Sequence, residues 1–172
     1  IPMKGILSVL VPALVDGWLS AHEKYGRLSL AEVFAPAIDL ATNGFPTSHM
    51  LAKAIAADSY ICEFPTSKAV FGRDGRPLQA GEILYQRDLG RTFQAIVDGG
   101  TDTFYRGEIA DALVRFSEEQ GGLLTRADLA GCRSRWEEPI STSYRGYSVY
   151  EAPPNSSGHV LLQELNLVEH FD

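Results

Sequence analysis

Ser156 and Ser157 have the residue types and setting that invite a nucleophile, because hydroxyls following Pro153-Pro154 at a helix start can sit beside amide N–H groups that would stabilise an oxyanion. The competing reading is a helix cap: Asn155-Ser156-Ser157-Gly158 has the composition that a strand-to-helix turn favours, and His159 is too near in sequence to be placed as a base. Asn155-Ser156-Ser157 also fits the short glycosylation sequon. His22-Glu23 begins like a zinc-protease helix, but Gly26 stands where the second histidine is needed, leaving a His and a Glu on a helix face. Gly72-Arg73-Asp74-Gly75 reads as an anion nest or, more simply, a plain turn. Tyr105-Arg106-Gly107 offers a guanidinium beside aromatic rings; it reads as an anion site or as an arginine stacked on a ring or bonded to a loop carbonyl. His49, His159 and His170 fall far apart, and Cys62 and Cys132 are seventy positions apart, so no spacing suits a metal and none is expected. Free thiols are the expected state of the two cysteines, with a single disulfide as the alternative.

The bulk properties narrow the function classes. The chain is 45% hydrophobic and 22% charged, which suits a folded chain with one sizeable core. Its formal charge is −7 and no basic run exceeds a pair, which speaks against nucleic acid and anionic membranes as partners. The apolar run from Ile6 to Val15 is broken by Ser8 and Pro12 and falls short of the roughly 20 residues of a membrane span. Both ends read as cuts, since the chain opens on Ile1 and closes inside an apparent helix. Compartment is therefore left open, secreted or periplasmic on one reading and cytoplasmic on the other.

The elements that would position these residues are mostly helices. Pro12 suits a first helical turn, Leu14, Val15, Trp18, Leu19 and His22 recur at helical spacing, and Gly26 is expected as a left-handed cap. Ser29 and Glu32 form a capping box opening a second helix to Gly44, with Pro36 expected to kink it or delay its start. Thr47 or Ser48 caps a third helix over Leu51 to Tyr60, and Glu63 to Gln86 reads as a Gly- and Pro-rich surface loop. Asp88 is expected to cap Leu89 to Val97; a further helix with Ile109, Ala112, Leu113 and Phe116 on one face follows Gly99-Gly100 and ends at Gly121-Gly122. Thr125 and Asp128 cap a short turn. The period then changes to two in Ile140 to Tyr144 and Tyr147 to Glu151, a β-hairpin about Arg145-Gly146 near 139–152, and helix resumes from Ser157. No repeat or linker interrupts residues 1–172, which read as part of one domain.

Val11-Pro-Ala-Leu-Val-Asp-Gly17, Tyr25-Gly-Arg-Leu28, Pro36-Ala-Ile-Asp-Leu-Ala41, Gly44-Phe-Pro46, Pro77-Leu-Gln-Ala-Gly-Glu82, Asp88-Leu-Gly-Arg-Thr92, Phe104-Tyr-Arg-Gly-Glu-Ile-Ala110, Gly121-Gly-Leu-Leu-Thr125 and Tyr144-Arg-Gly-Tyr147 follow one another in an order that resembles the large subunit of γ-glutamyltransferases. The likeness runs over essentially the whole chain. Two departures are Ala13, where a Gly is usual after the Val-Pro pair, and Pro154-Asn155-Ser-Ser-Gly-His159 in place of a Pro-Pro-Ser-Ser-Gly-Gly run. These changes look like the glutathione-hydrolase-like branch, in which cephalosporin or glutaryl acylases also occur.

The resemblance implies an α+β fold: part of an αββα N-terminal-nucleophile hydrolase, here mainly helical, made as a precursor that cleaves itself into large and small subunits. The small subunit's N-terminal Thr would attack a γ-glutamyl amide such as glutathione, with acyl transfer to water or an amine and no cofactor. That Thr, and the Arg that would hold the substrate carboxylate, are implied to lie outside residues 1–172. No catalytic residue is therefore assigned within the chain, Thr47, Thr125 and Thr142 included, and its substrate-binding residues are left unassigned. A catalytically inactive helical scaffold is the alternative from another class.

Overall fold

The computed structural model describes residues 2–58, 61 and 63–171, in two compact units, Ile1–Arg133 and Ser134–Asp172. In the first unit a single 3-10 turn, Ile6–Ser8, precedes helix α1 (Leu14–Tyr25) and helix α2 (Leu30–Asn43). The α2 capping box is complete: the Ser29 hydroxyl accepts from the Glu32 N–H, and the Glu32 carboxylate accepts from the Ser29 N–H at 2.8 Å. Pro36 neither delays nor interrupts α2, which runs through it. Gly26 ends α1 with φ −63° and ψ 141°, extended rather than left-handed. What suits glycine there is space, since a Cβ would lie 2.5 Å from the His22 carbonyl and 2.6 Å from its ring.

Strand β1 (Phe45–Pro46) leads to α3 (His49–Ala57), capped by Ser48, whose hydroxyl accepts from the Leu51 N–H at 3.1 Å. Thr47, the other expected cap, is instead buried with its hydroxyl unpartnered. The end of the expected third helix at Tyr60 lies outside the described residues, and α3 itself closes at Ala57. The expected 63–86 loop is more ordered than its composition suggests. It holds α4 (Pro65–Phe71), an antiparallel pair of β2 (Gly72–Arg73) with β3 (Arg76–Pro77), and β4 (Ile83–Leu84), which pairs with β1. Pro65 favours rather than breaks structure here, because it stands at the first turn of α4, where no N–H partner is lost. A small core of Ile55, Leu78 and Leu84 seals this region.

Helix α5 (Arg87–Tyr105) has Gln86 at its cap position with no side-chain cap bond, and Asp88 sits in the first turn and does not cap it. A kink at Gly100, φ 62° and ψ −153°, divides Arg87–Tyr105 into two helical segments, at the Gly99-Gly100 pair where the sequence places a break. Helix α6 (Glu108–Glu119) closes at Gly121, φ 73°, and α7 (Arg126–Ala130) carries the expected Thr125–Asp128 capping box. The main core is built by α1, α2, α5, α6 and α7 around Phe34, Ile96, Tyr105, Ala110 and Leu129, with Trp18, Phe34 and Phe93 in edge-to-face contacts of 6.4 and 5.6 Å.

The second unit is a hairpin and a helix. β5 (Ile140–Tyr144) pairs antiparallel with β6 (Tyr147–Glu151), Tyr144 opposite Tyr147, and α8 (Gly158–Val168) packs mainly on β5. Arg145 and Gly146, at φ 47° and 83°, form a two-residue turn whose twist suits the strands. The alternation follows the period of two: Ile140, Thr142 and Tyr144 are half-buried, while Ser141 and Ser143 are exposed. Three hydrogen bonds tie hairpin to helix end, from the Thr142 hydroxyl to Asn166 Oδ1 (2.6 Å), from the Arg145 N–H to Glu169 Oε1 (2.7 Å), and from Arg145 Nη2 to the Phe171 carbonyl (3.0 Å). The whole is α+β and mainly helical, with its longest strands in this hairpin.

Candidate functional site

The turn from β6 into α8 gathers the residues whose types first suggested chemistry. Ser156 is half-buried and its hydroxyl is engaged twice: it donates to the Ala152 carbonyl at 2.8 Å and accepts from the Gly158 N–H at 3.3 Å. An oxygen so held joins strand end to helix start, the work of a capping residue one place earlier than Ser157. Ser157 occupies the cap position itself but makes no side-chain cap bond. His159 Nδ1 lies 3.2 Å from the Ser156 carbonyl, not from either hydroxyl, so no serine–histidine pair is formed among the described residues.

Gly158 is buried against the end of β6. A Cβ there would stand 2.6 Å from Glu151 Cβ and 2.7 Å from the Ala152 carbonyl. That contact seats the first turn of α8 against the last residue of β6. His159 is exposed in the same turn, so a side chain is accommodated at the position that departs from the familiar double-glycine pattern.

The remaining candidates resolve into structural roles. His22 Nε2 lies 2.7 Å from the Leu28 carbonyl, tying α1 to the α1–α2 connection. Arg73 to Gly75 make a tight hairpin turn, with Asp74 at φ 51° and Gly75 at 79°, and Arg73 Nη2 donates to the Ile83 carbonyl at 3.0 Å. Arg106 donates to the Ala130 carbonyl at 2.8 Å and pairs with Asp102, which is the loop-carbonyl reading of that motif. Tyr105, fully buried, donates to the Pro12 carbonyl at 2.7 Å and accepts from the Asp16 N–H at 3.1 Å, so it anchors the start of α1. Burial, against the opposing Asp16 hydrogen bond, pushes its phenol up to about 12. Cys132 is a free thiol beside it, and Cys62 lies outside the described residues. Among the described residues no cluster of His, Cys, Asp or Glu could hold a metal ion.

Sequence reasoning passed over one arrangement of charge. Arg76 Nη1 and Nη2 each donate to one Glu82 oxygen at 2.9 Å, and the Gln79 N–H adds a third bond at 2.7 Å. The Arg76 bonds first, then the Gln79 N–H, bring the Glu82 carboxyl down to about 2. The pair closes the loop between β3 and β4. Its sequence signal is an Arg and a Glu six apart, the Glu closing the Pro77–Glu82 motif, in a stretch otherwise read as a surface loop.

The profile of the family described as gamma-glutamyltranspeptidase matches residues 1–172. The chain is 38% identical over 174 residues to the glutathione hydrolase-like YwrD proenzyme of Bacillus subtilis, covering all of this chain and 33% of that protein. Among solved structures it superposes with a TM-score of 0.93 on the γ-glutamyltranspeptidase of Helicobacter pylori, at 34% identity over 99% of this chain and 50% of that one. It superposes equally, at 0.93, on the cephalosporin acylase of Bacillus halodurans, at 38% identity over 100% of this chain and 33% of that one. The chain thus spans about a third of the length of the curated relatives it matches. With a profile match from first residue to last, and relatives that share both its sequence and its fold, the chain belongs to the γ-glutamyltranspeptidase family.

Proposed function

We propose that these residues form part of the large subunit of an autoprocessed γ-glutamyl hydrolase or transferase acting on glutathione-like γ-glutamyl amides, and that both units belong to one domain of the complete protein. The observation that carries this reading is the family match over the full 172 residues. A small-subunit Thr would attack the γ-glutamyl carbonyl, an acyl-enzyme would form, and water or an amine would release it. The Thr and the carboxylate-holding Arg belong to parts of the protein outside this chain. The chain's own contribution is bracing: the hairpin and α8, locked at Gly158, and the helices of the first unit. No cofactor is required by this chemistry.

A second reading is an acylase that takes a glutaryl-type acyl group, favoured by the 0.93 superposition on a cephalosporin acylase. The two differ in one substrate feature, the α-amino group. The complete protein should be assayed with γ-glutamyl and glutaryl anilides, which release the same chromophore. The leading reading expects kcat/KM to favour the γ-glutamyl substrate by more than about tenfold, because a site built for the amine leaves its polar groups unpaired with the analogue. The reverse preference would establish the acylase, and failure of both substrates, with no cleavage into subunits on a denaturing gel, would leave an inactive scaffold.

A further inference from the structure

In a chain of net charge −7, three arginines line one cleft of about 620 Å³ between α4, the β2–β3 turn and the start of α5. Elsewhere in the first unit the guanidiniums of Arg76, Arg106 and Arg126 are each committed to a carboxylate, while Arg133 is held by the Ala130 and Cys132 carbonyls and Arg27 and Arg115 form no ion pair among the described residues. In the cleft, among the described residues, Arg91 is paired with a carboxylate, that of Asp88. Arg73 is held by the Ile83 carbonyl at 3.0 Å, and the Arg87 guanidinium carbon lies 4.6 Å from the centre of the Tyr85 ring. Neither partner neutralises charge. Both contacts orient a guanidinium while leaving N–H donors unspent, since a carbonyl takes one and a ring face takes none from the edge. Counting Asp88, the lining carries a formal excess of two positive charges, and all three arginines are exposed to incoming solute. The neighbouring carboxylate Glu82 is hydrogen-bonded by Arg76 and attracts Arg73 more weakly, through space.

We propose that this cleft binds a small multivalent oxyanion, carried by a phosphate- or carboxylate-bearing molecule, with Arg73 and Arg87 as the principal donors and Arg91 as the third. Guanidinium forks match the oxygen spacing of both groups, so the chemistry is shared and the source is decided by experiment.

The complete protein should be titrated calorimetrically with inorganic pyrophosphate and, separately, citrate, at fixed ionic strength. The expected result is saturable binding of at least one, weakened at least about tenfold in Arg73→Gln/Arg87→Gln, as loss of charge-assisted hydrogen bonds requires. Lys53→Gln, which removes one positive charge on exposed α3 as Arg87→Gln does in the cleft, should bind as the parent does. The tighter of the two anions identifies the class of ligand. Should the double variant fail to fold, Arg87→Gln alone, which gives up only a ring contact, carries the same readout. Absence of saturable binding with both anions, binding undiminished in the arginine variants, or equal weakening in Lys53→Gln would overturn the proposal. Calorimetric binding does not depend on turnover, so failure here is distinguishable from failure of the γ-glutamyl reading.

Discussion

Gly158 and Glu82 show how differently single residues constrain this fold. At Gly158 the constraint is steric: a Cβ would stand 2.7 Å from a backbone oxygen and 2.6 Å from a neighbouring Cβ, neither the far end of a flexible side chain. Gly158→Ala should therefore cost about 2–3 kcal/mol, the upper range for overpacking a filled site, measured by urea unfolding of the complete protein. Ser157→Ala is the matched control. That side chain makes no cap bond, and the change should stay within about 0.5 kcal/mol. At Glu82 the constraint is electrostatic. Its carboxyl, ordinarily at 4.5, is brought to about 2 by Arg76 and the Gln79 N–H. Because the folded value lies below the unfolded one, the contribution is present above about pH 4.5 and is lost as pH falls toward 2. Stability of Glu82→Gln, followed by fluorescence between pH 5 and pH 2, should show a shallower acid slope than the parent; parallel slopes would remove Glu82 from the account.

Elements whose signals are local were readable from the chain, and those decided by tertiary contact were not. Both capping boxes and the Arg145-Gly146 hairpin appear where the sequence predicts them, because a cap or a two-residue turn is completed within a few residues. The 63–86 segment failed the same test: its Gly and Pro content describes a loop, yet β4 is recruited by β1 nearly forty residues earlier, and Leu78 and Leu84 are buried by α3. Gly26 was read for its freedom of φ, whereas the His22 side chain packed over it is the actual constraint. The turn into α8 was legible as a cap, but the identity of the bonded hydroxyl, Ser156 rather than Ser157, depends on where the strand ends. A test belongs to α2, which packs extensively on α5. Ser29→Ala removes one side of its capping box and should destabilise the complete protein by about 1 kcal/mol, with Ser29→Asp restoring most of the loss by accepting from the same N–H. Chemical denaturation of the three forms checks the order.

At the scale of the whole molecule the surface is too large for the mass. An 18.8 kDa globular chain is expected to expose about 8,300 Å², and the same mass divided into two separate bodies in proportion to the two units about 9,700 Å². The chain exposes 11994 Å². Part of the excess is apolar: Leu10 is 79% exposed, Leu123 79%, Tyr147 76% and Phe171 71%. Large side chains of this kind in number exceed the scattered apolar residues that ordinary surfaces carry, and they mark faces built to meet other protein. The proposed place within a longer, processed protein supplies that other protein, since the chain spans about a third of its curated relatives. Expressed by itself, the 172-residue chain should bind a hydrophobic dye in its native buffer and elute from a sizing column ahead of an 18.8 kDa standard, and co-expression with the remainder of the protein should abolish both. A dye-silent monomer with one cooperative thermal transition would show that the two units satisfy their own apolar surface, and the bracing role assigned to them would then have to be replaced by that of an independent module.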